Sequence, residues 1–149
     1  MTRYFTCTYP NLNVYRKPNG KSEIVTELIY GESFSINLKN KNWYKVKIKE
    51  DNYQGYIRKR KFKKYIKPTH KISELRVKVF SSQNKSKKIR ELSFNSKIRV
   101  EQINSKFARF DGGWVEKKNI KPISTKNKNY FEIVIIFKNV KYKWVGNSF

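Results

Sequence analysis

The chain holds one cysteine, Cys7, and one histidine, His70. Together they are the residue types of a thiolate nucleophile and its imidazole base. Their surroundings point elsewhere. Cys7 stands in the alternation Tyr4-Phe5-Thr6-Cys7-Thr8-Tyr9 of a first strand, and His70 stands in a connector over residues 68–71. Neither has a flanking pattern that marks an activated group, so both are read as structural. The adjacent carboxylates Glu50 and Asp51 would suit acid–base work. They fall between strand-like residues 46–48 and 53–57, where a solvated hairpin turn is expected. One Cys and one His are too few for a zinc site of the Cys/His kind. No glycine-rich phosphate loop or hydrolase elbow is present. The sequence therefore predicts no catalytic residue, no metal ligand and no cofactor.

The densest basic run is Arg58-Lys59-Arg60-Lys61-Phe62-Lys63-Lys64, between Tyr56 and Tyr65. Interleaved cations and rings can hold single-stranded nucleic acid, but a solvated strand end and connector is the simpler reading. The whole chain is basic, with 35 Lys and Arg against 11 Asp and Glu and a formal charge of +24. That balance favours an anionic partner such as nucleic acid, anionic lipid or cell-wall polymer. Of the 35 basic residues 27 are Lys, spread along all 149 positions. A nucleic-acid reader concentrates Arg for bidentate contacts, so compositional drift explains most of this charge and nucleic acid stays the alternative partner. A single cysteine excludes an intramolecular disulfide. The first ten residues lack a signal-peptide apolar run, and nowhere is there the ~20-residue apolar stretch of a membrane helix. A soluble cytoplasmic protein with no membrane span is expected.

The candidate residues are carried by a unit that occurs twice. Residues 27–36, ELIYGESFSI, align without gaps on residues 91–100, ELSFNSKIRV. Leu28 matches Leu92, Tyr30 matches Phe94, and Phe34/Ile36 match Ile98/Val100. Trp43-Tyr44-Lys45-Val46 then matches Phe107-Ala108-Arg109-Phe110, and Gly55-Tyr56-Ile57 matches Gly113-Trp114-Val115 after a shorter hairpin. Both copies reach Ile-Lys-Pro, at 66–68 and 120–122. Repetition of this length means two copies of one structural unit. Alternation in Trp43-x-x-Val46-x-Ile48 and Val77-x-Val79 is that of half-buried strands. Turn residues at 17–20, 30–31, 50–52 and 111–113 separate them. Short strands without a helical period predict a small antiparallel barrel per copy. One core should hold Leu28, Phe34, Trp43 and Val46, the other Leu92, Ile98, Phe107 and Phe110.

These same residues resemble a known module. Leu12-Asn13-Val14-Tyr15-Arg16, Gly31-Glu32, Trp43-Tyr44-Lys45-Val46 and Gly55-Tyr56-Ile57 are similar to the bacterial SH3-like domain, with Tyr15 intervening between Val14 and Arg16. The second copy is similar to the second such domain of NlpC-type cell-wall peptidases, which are papain-like cysteine peptidases. Tyr142-Lys143-Trp144-Val145-Gly146 resembles the Tyr-x-Trp-Gly-Gly entrance to their catalytic domain, with Val145 in place of the first Gly. In that family an Asp-Cys-Ser-Gly motif follows, and here Phe149 comes first.

The resemblance implies a mainly β protein: two tandem small SH3-like barrels plus a short C-terminal helix or stub of a papain-like α+β domain. The expected boundaries are residues 1–67, 71–123 and 124–149. It implies a region that shapes the substrate site of a γ-D-glutamyl–diamino-acid endopeptidase and binds peptidoglycan-derived peptides. Tyr142 and Trp144 would be its substrate-binding residues. The 149-residue chain itself is expected not to cleave them. Residues 124–129 are linker-like. For Tyr130-Phe131-Glu132-Ile133-Val134-Ile135-Ile136-Phe137, β propensity reads a strand, whereas the resemblance implies a helix over 131–138.

Overall fold

The computed structural model describes residues 2–126. The expected helix over 131–138, and Tyr142 and Trp144 with it, lie outside the described residues. Two compact units divide after Lys67, Met1–Lys67 and Pro68–Phe149. The described residues are mainly β, with one 3₁₀ turn, Lys117–Asn119, as their sole helical element. All strand pairing among them is antiparallel.

The first unit contains β1 (Tyr4–Thr6), β2 (Asn11–Tyr15), β3 (Ile24–Ile29), β4 (Ser33–Lys39), β5 (Trp43–Ile48), β6 (Gln54–Arg58) and β7 (Lys63–Lys64). They form one seven-stranded sheet in the order β3-β2-β6-β5-β4-β1-β7. Val14, Leu28, Phe34, Val46, Ile48 and Ile57 come from five of those strands, yet share one buried cluster with Cys7. A single sheet can do this only by curling around its own inner face, which is the barrel expected from the alternation. Phe62 packs its ring at 4.8 Å and 82° on Phe34, so the one apolar residue of the basic run closes the core while its neighbours face water.

The second unit contains β8 (His70–Ile72), β9 (Arg76–Phe80), β10 (Lys88–Ser93), β11 (Lys97–Ile98), β12 (Gln102–Ile103), β13 (Phe107–Phe110), β14 (Gly113–Glu116) and, after the 3₁₀ turn, β15 (Ile120–Pro122). They make a five-stranded sheet, β10-β9-β14-β13-β12, and a three-stranded one, β11-β8-β15. His70 thus begins a strand, paired to Ile98 and Pro122, and is not in a connector.

All eight predicted core residues are buried. Trp43, however, turns its ring away from the core cluster. It lies three positions from Val46 on an unbroken strand, and an odd spacing reverses the face. Phe107 stands in the same relation to Phe110.

The repeat extends further than its sequence match. β1 pairs with β4 and β7 as β8 pairs with β11 and β15. Cys7 thereby corresponds to Ile72. The Cys7 amide donates to Glu32 and its carbonyl accepts from Gly31; the Ile72 amide donates to Ser96 and its carbonyl accepts from Asn95. Gly31 and Asn95 share left-handed backbone, with φ of 86° and 70°, which glycine and asparagine tolerate best. The common glycines 55 and 113 have a different cause. A Cβ on Gly55 would lie 2.4 Å from Val14 Cγ1 and 2.9 Å from the Tyr15 carbonyl; one on Gly113 would lie 2.6 Å from Val79 Cγ1. The neighbouring strand passes too close for any side chain.

Cys7 is therefore a small apolar core residue. It is fully buried, and its thiol donates to the Tyr9 carbonyl at 3.4 Å. Burial above all pushes the thiol from its ordinary 9.0 up to about 12.

Two predictions follow from this packing. Gly55→Ala should cost about 1–3 kcal/mol of stability through overpacking, whereas Leu38→Ala, at a side chain 61% exposed, should change it by less than about 0.5 kcal/mol; denaturant titration distinguishes them. The Cys7 thiol should stay neutral in the folded chain while the unfolded chain ionises above pH 9. Its contribution is whole below that pH and is lost as pH rises towards 12. The stability difference between the native chain and Cys7→Ala should then fall by about 1.4 kcal/mol per pH unit across that window. A flat difference would contradict it.

Candidate functional site

β2 and β6 meet at a single pair, Tyr15 opposite Tyr56, and then part. The gap is a cleft of about 240 Å³, lined on its outer side by Asn11, Asn13, Tyr15, Arg58 and Arg60. Alternation explains this set. Residues 11, 13 and 15 share one face of β2, and residues 56 and 58 share that face of β6, so the core receives the residues between them.

Each cleft arginine is held by a ring. The Arg58 guanidinium lies 4.8 Å over Trp43, and Trp43 is braced edge-on by Tyr15 at 5.4 Å and 88°. On the β2–β3 hairpin, a Cβ at Gly20 would come within 2.3 Å of Arg58 Nη2, so a bare backbone makes room for the guanidinium. Arg60 lies 4.9 Å over Tyr9. Tyr9 is fixed in turn, since its hydroxyl donates to the Lys61 carbonyl at 3.0 Å and its ring meets Phe62 edge-on at 5.8 Å. Neither arginine has a carboxylate partner among the described residues. Arg16 nearby does, with Glu23 at 2.9 Å. Two planar five-donor groups are thus oriented over one hollow with their charge unneutralised.

The second unit carries the corresponding surface with other chemistry. Phe80 faces Trp114 as Tyr15 faces Tyr56, and Arg109 lies 6.0 Å from the Trp114 ring centre. At the position of Arg58 stands Glu116, paired with Lys85 at 3.1 Å and Lys118 at 3.5 Å. The Lys85 hydrogen bond, more than any other cause, holds the Glu116 carboxyl below its usual range. On that surface a carboxylate already meets two of the cations.

Each residue weighed for chemistry in the sequence has its place within its own unit. Cys7 and His70 belong to different units. Thr69 Oγ1 and His70 Nδ1 lie 2.8 Å apart, and burial lowers the His70 pKa, which favours the neutral ring. Glu50 and Asp51 are exposed in the β5–β6 turn, where Asp51 Oδ1 accepts from the Tyr53 amide at 3.0 Å. The basic run places Arg58 and Arg60 on the cleft and Lys63 and Lys64 in β7. Sequence reasoning grouped those cations but missed that two of them share a cleft with Asn11 and Asn13. The signal lay in arginines spaced by two within a lysine-rich run. A second hollow, about 260 Å³, lies where Tyr4, Lys47 and Lys49 meet. There Lys49 is held between the rings of Tyr4 and Tyr65, at 4.9 and 4.7 Å.

Comparison with known proteins agrees with this architecture. Residues 14–62 match a family described as the bacterial dipeptidyl-peptidase SH3 domain. No curated protein matches the chain in sequence. Among solved structures, an NlpC/P60 family protein from Bacillus cereus is similar with a TM-score of 0.61 and 13% identity, over 86% of this chain and 58% of that one. NlpC2 and NlpC1 from Trichomonas vaginalis are similar over 80% and 87% of this chain and 47% and 48% of theirs, at 16% and 14% identity and TM-scores of 0.35. The chain thus spans little more than half of the Bacillus cereus protein, and what the two share is the fold. Residues 14–62, which include most of the strands that build the cleft, match a bacterial SH3 domain family, and the chain shares its fold with an NlpC/P60 family protein.

Proposed function

We propose that this chain is the substrate-shaping, SH3-like region of a γ-D-glutamyl-L-diamino-acid endopeptidase of the NlpC type, and that it binds peptidoglycan-derived peptides. The match of residues 14–62 to an SH3 family named for dipeptidyl peptidases carries the reading. Chemistry supports it. Such peptides carry free carboxylates, and the chain has a +24 charge with a cationic cleft on its first barrel. By resemblance, Tyr142 and Trp144 would be substrate-binding residues.

Binding without cleavage is the expected behaviour of these 149 residues. Attack on an amide needs a thiolate, a base beside it and donors for the developing oxyanion. The chain's one thiol is buried and protonated up to about pH 12, and its one imidazole lies in the other unit.

The test uses the tripeptide L-alanyl-γ-D-glutamyl-diaminopimelic acid. Titration followed by amide chemical shifts should show saturable binding, and mass spectrometry should recover the peptide uncut after prolonged incubation. Absence of binding at millimolar peptide would sink the proposal. Cleavage abolished by Cys7→Ala would assign Cys7 the role denied to it here.

A further inference from the structure

We propose that the cleft between β2 and β6 is a binding site for a carboxylate group of an acidic peptide, gripped by Arg58 and Arg60. The inference goes beyond the family reading, because it follows from the side chains of the first barrel alone.

Three observations carry it. The first is the unused charge. In a chain where Arg16, Arg76 and Arg90 all meet carboxylates, the two arginines of the cleft have none among the described residues. Arg58 and Arg60 are exposed, so a guanidinium laid on a ring turns its edge N–H donors to water, and a bidentate carboxylate can take them. The second is preorganisation. Trp43 and Gly20 fix the plane of Arg58, and Tyr9 fixes that of Arg60. Side-chain entropy lost on binding is reduced when the planar fork is already placed. The third is shape. The cleft holds about 240 Å³, smaller than a typical drug-sized pocket, which suits an acidic side chain or a chain terminus. Asn13 lines it, and its side-chain amide has no hydrogen-bond partner among the described residues. No ladder joins residues 11–13 to 58–60, so an extended segment can enter between the strands. A stacked nucleobase is a poorer occupant, since the large ring of the site, Trp43, is 8% exposed beneath Arg58.

The second barrel is a built-in contrast. With Glu116 at the position of Arg58, already paired to Lys85 and Lys118, it offers no such vacancy for an anion.

The experiment titrates the full chain with N-acetyl-Glu-Glu amide, an α-linked acidic peptide, and follows the Nε–Hε signals of the arginines by NMR. Saturable shifts confined to Arg58 and Arg60, with affinity reduced about tenfold in Arg58→Ala and in Arg60→Ala, are expected. Arg58→Lys should keep the charge, lose the fork and weaken binding several-fold. Because Arg58→Ala uncovers Trp43, Asn13→Asp provides a variant at an exposed residue. Its carboxylate, tethered in the cleft, should occupy the arginines, abolish binding and leave the fold intact. Undiminished binding in Asn13→Asp and in both alanine variants would overturn the proposal. So would inorganic phosphate or a single-stranded oligonucleotide that binds the arginines more tightly than the peptide. If the acidic peptide binds and the wall tripeptide does not, the proposed function fails and this site stands. If the wall tripeptide binds equally well to all variants, the site fails and the function stands.

Discussion

The antiparallel register of β5 on β6 fixes both the interior and the working surface of the first barrel. Val46 opposite Gly55 and Tyr44 opposite Ile57 send one set of side chains inward. Trp43 opposite Arg58 and Lys45 opposite Tyr56 send the other set outward. A slip of one residue would exchange the sets, putting Arg58 in the core and Ile57 in water. The burial of Val46, Ile48 and Ile57 therefore holds Arg58 in place, although none of them touches a ligand. Gly55 locks the register from the other side, because only a residue without a side chain lets β2 come near enough to set Tyr15 against Tyr56 and Trp43.

Gene-level repetition left the same scaffold with two different surfaces. Positions that face the core changed little: Leu28 and Leu92, Phe34 and Ile98, Val46 and Phe110, Cys7 and Ile72 are all buried hydrophobes. Positions that face outward diverged in charge, Arg58 to Glu116 being the clearest. A buried position must stay apolar, and its volume can change where its neighbours change with it, whereas an exposed position is free to take either sign. The residue that interrupts the expected Leu-Asn-Val-Arg pattern belongs to the shared scaffold. Val14-Tyr15 in one copy is Val79-Phe80 in the other, and each ring faces the aromatic residue after the conserved-in-place glycine.

The sequence made the inward half of this legible. Period-two alternation and the internal match located the strands, the turns at Gly31, Asp51 and Gly112, and eight buried positions. Trp43 and Phe107 are buried as expected, but strand parity sets each on the opposite face from Val46 and Phe110. Sequence reasoning missed the correspondence of β1 with β8, since Phe5-Thr6-Cys7 and His70-Lys71-Ile72 share no residue, and their likeness lies in backbone hydrogen bonds. The cleft was invisible for a related reason. Asn11 and Asn13 are some 45 residues from Arg58 and Arg60, and only the single Tyr15–Tyr56 pair brings them together.

The large positive charge separates into two populations once the contacts are known. Lysines supply 27 of the 35 cations and are scattered, and a hydrated ammonium on a flexible stem demands little of its surroundings. Arginines are few and placed. Arg58, Arg60, Arg90 and Arg109 each lie over an aromatic ring, at 4.8, 4.9, 5.7 and 6.0 Å. Arg90 also donates to the Asp111 carbonyl at 2.7 Å, tying the β13–β14 turn to β10. Drift towards lysine would erode such sites, because an ammonium can neither stack as a plane nor fork to two oxygens. At Arg90 the guanidinium is used within the chain. At Arg58 and Arg60 the rings and the cleft are in place, and none of the described carboxylates pairs with them.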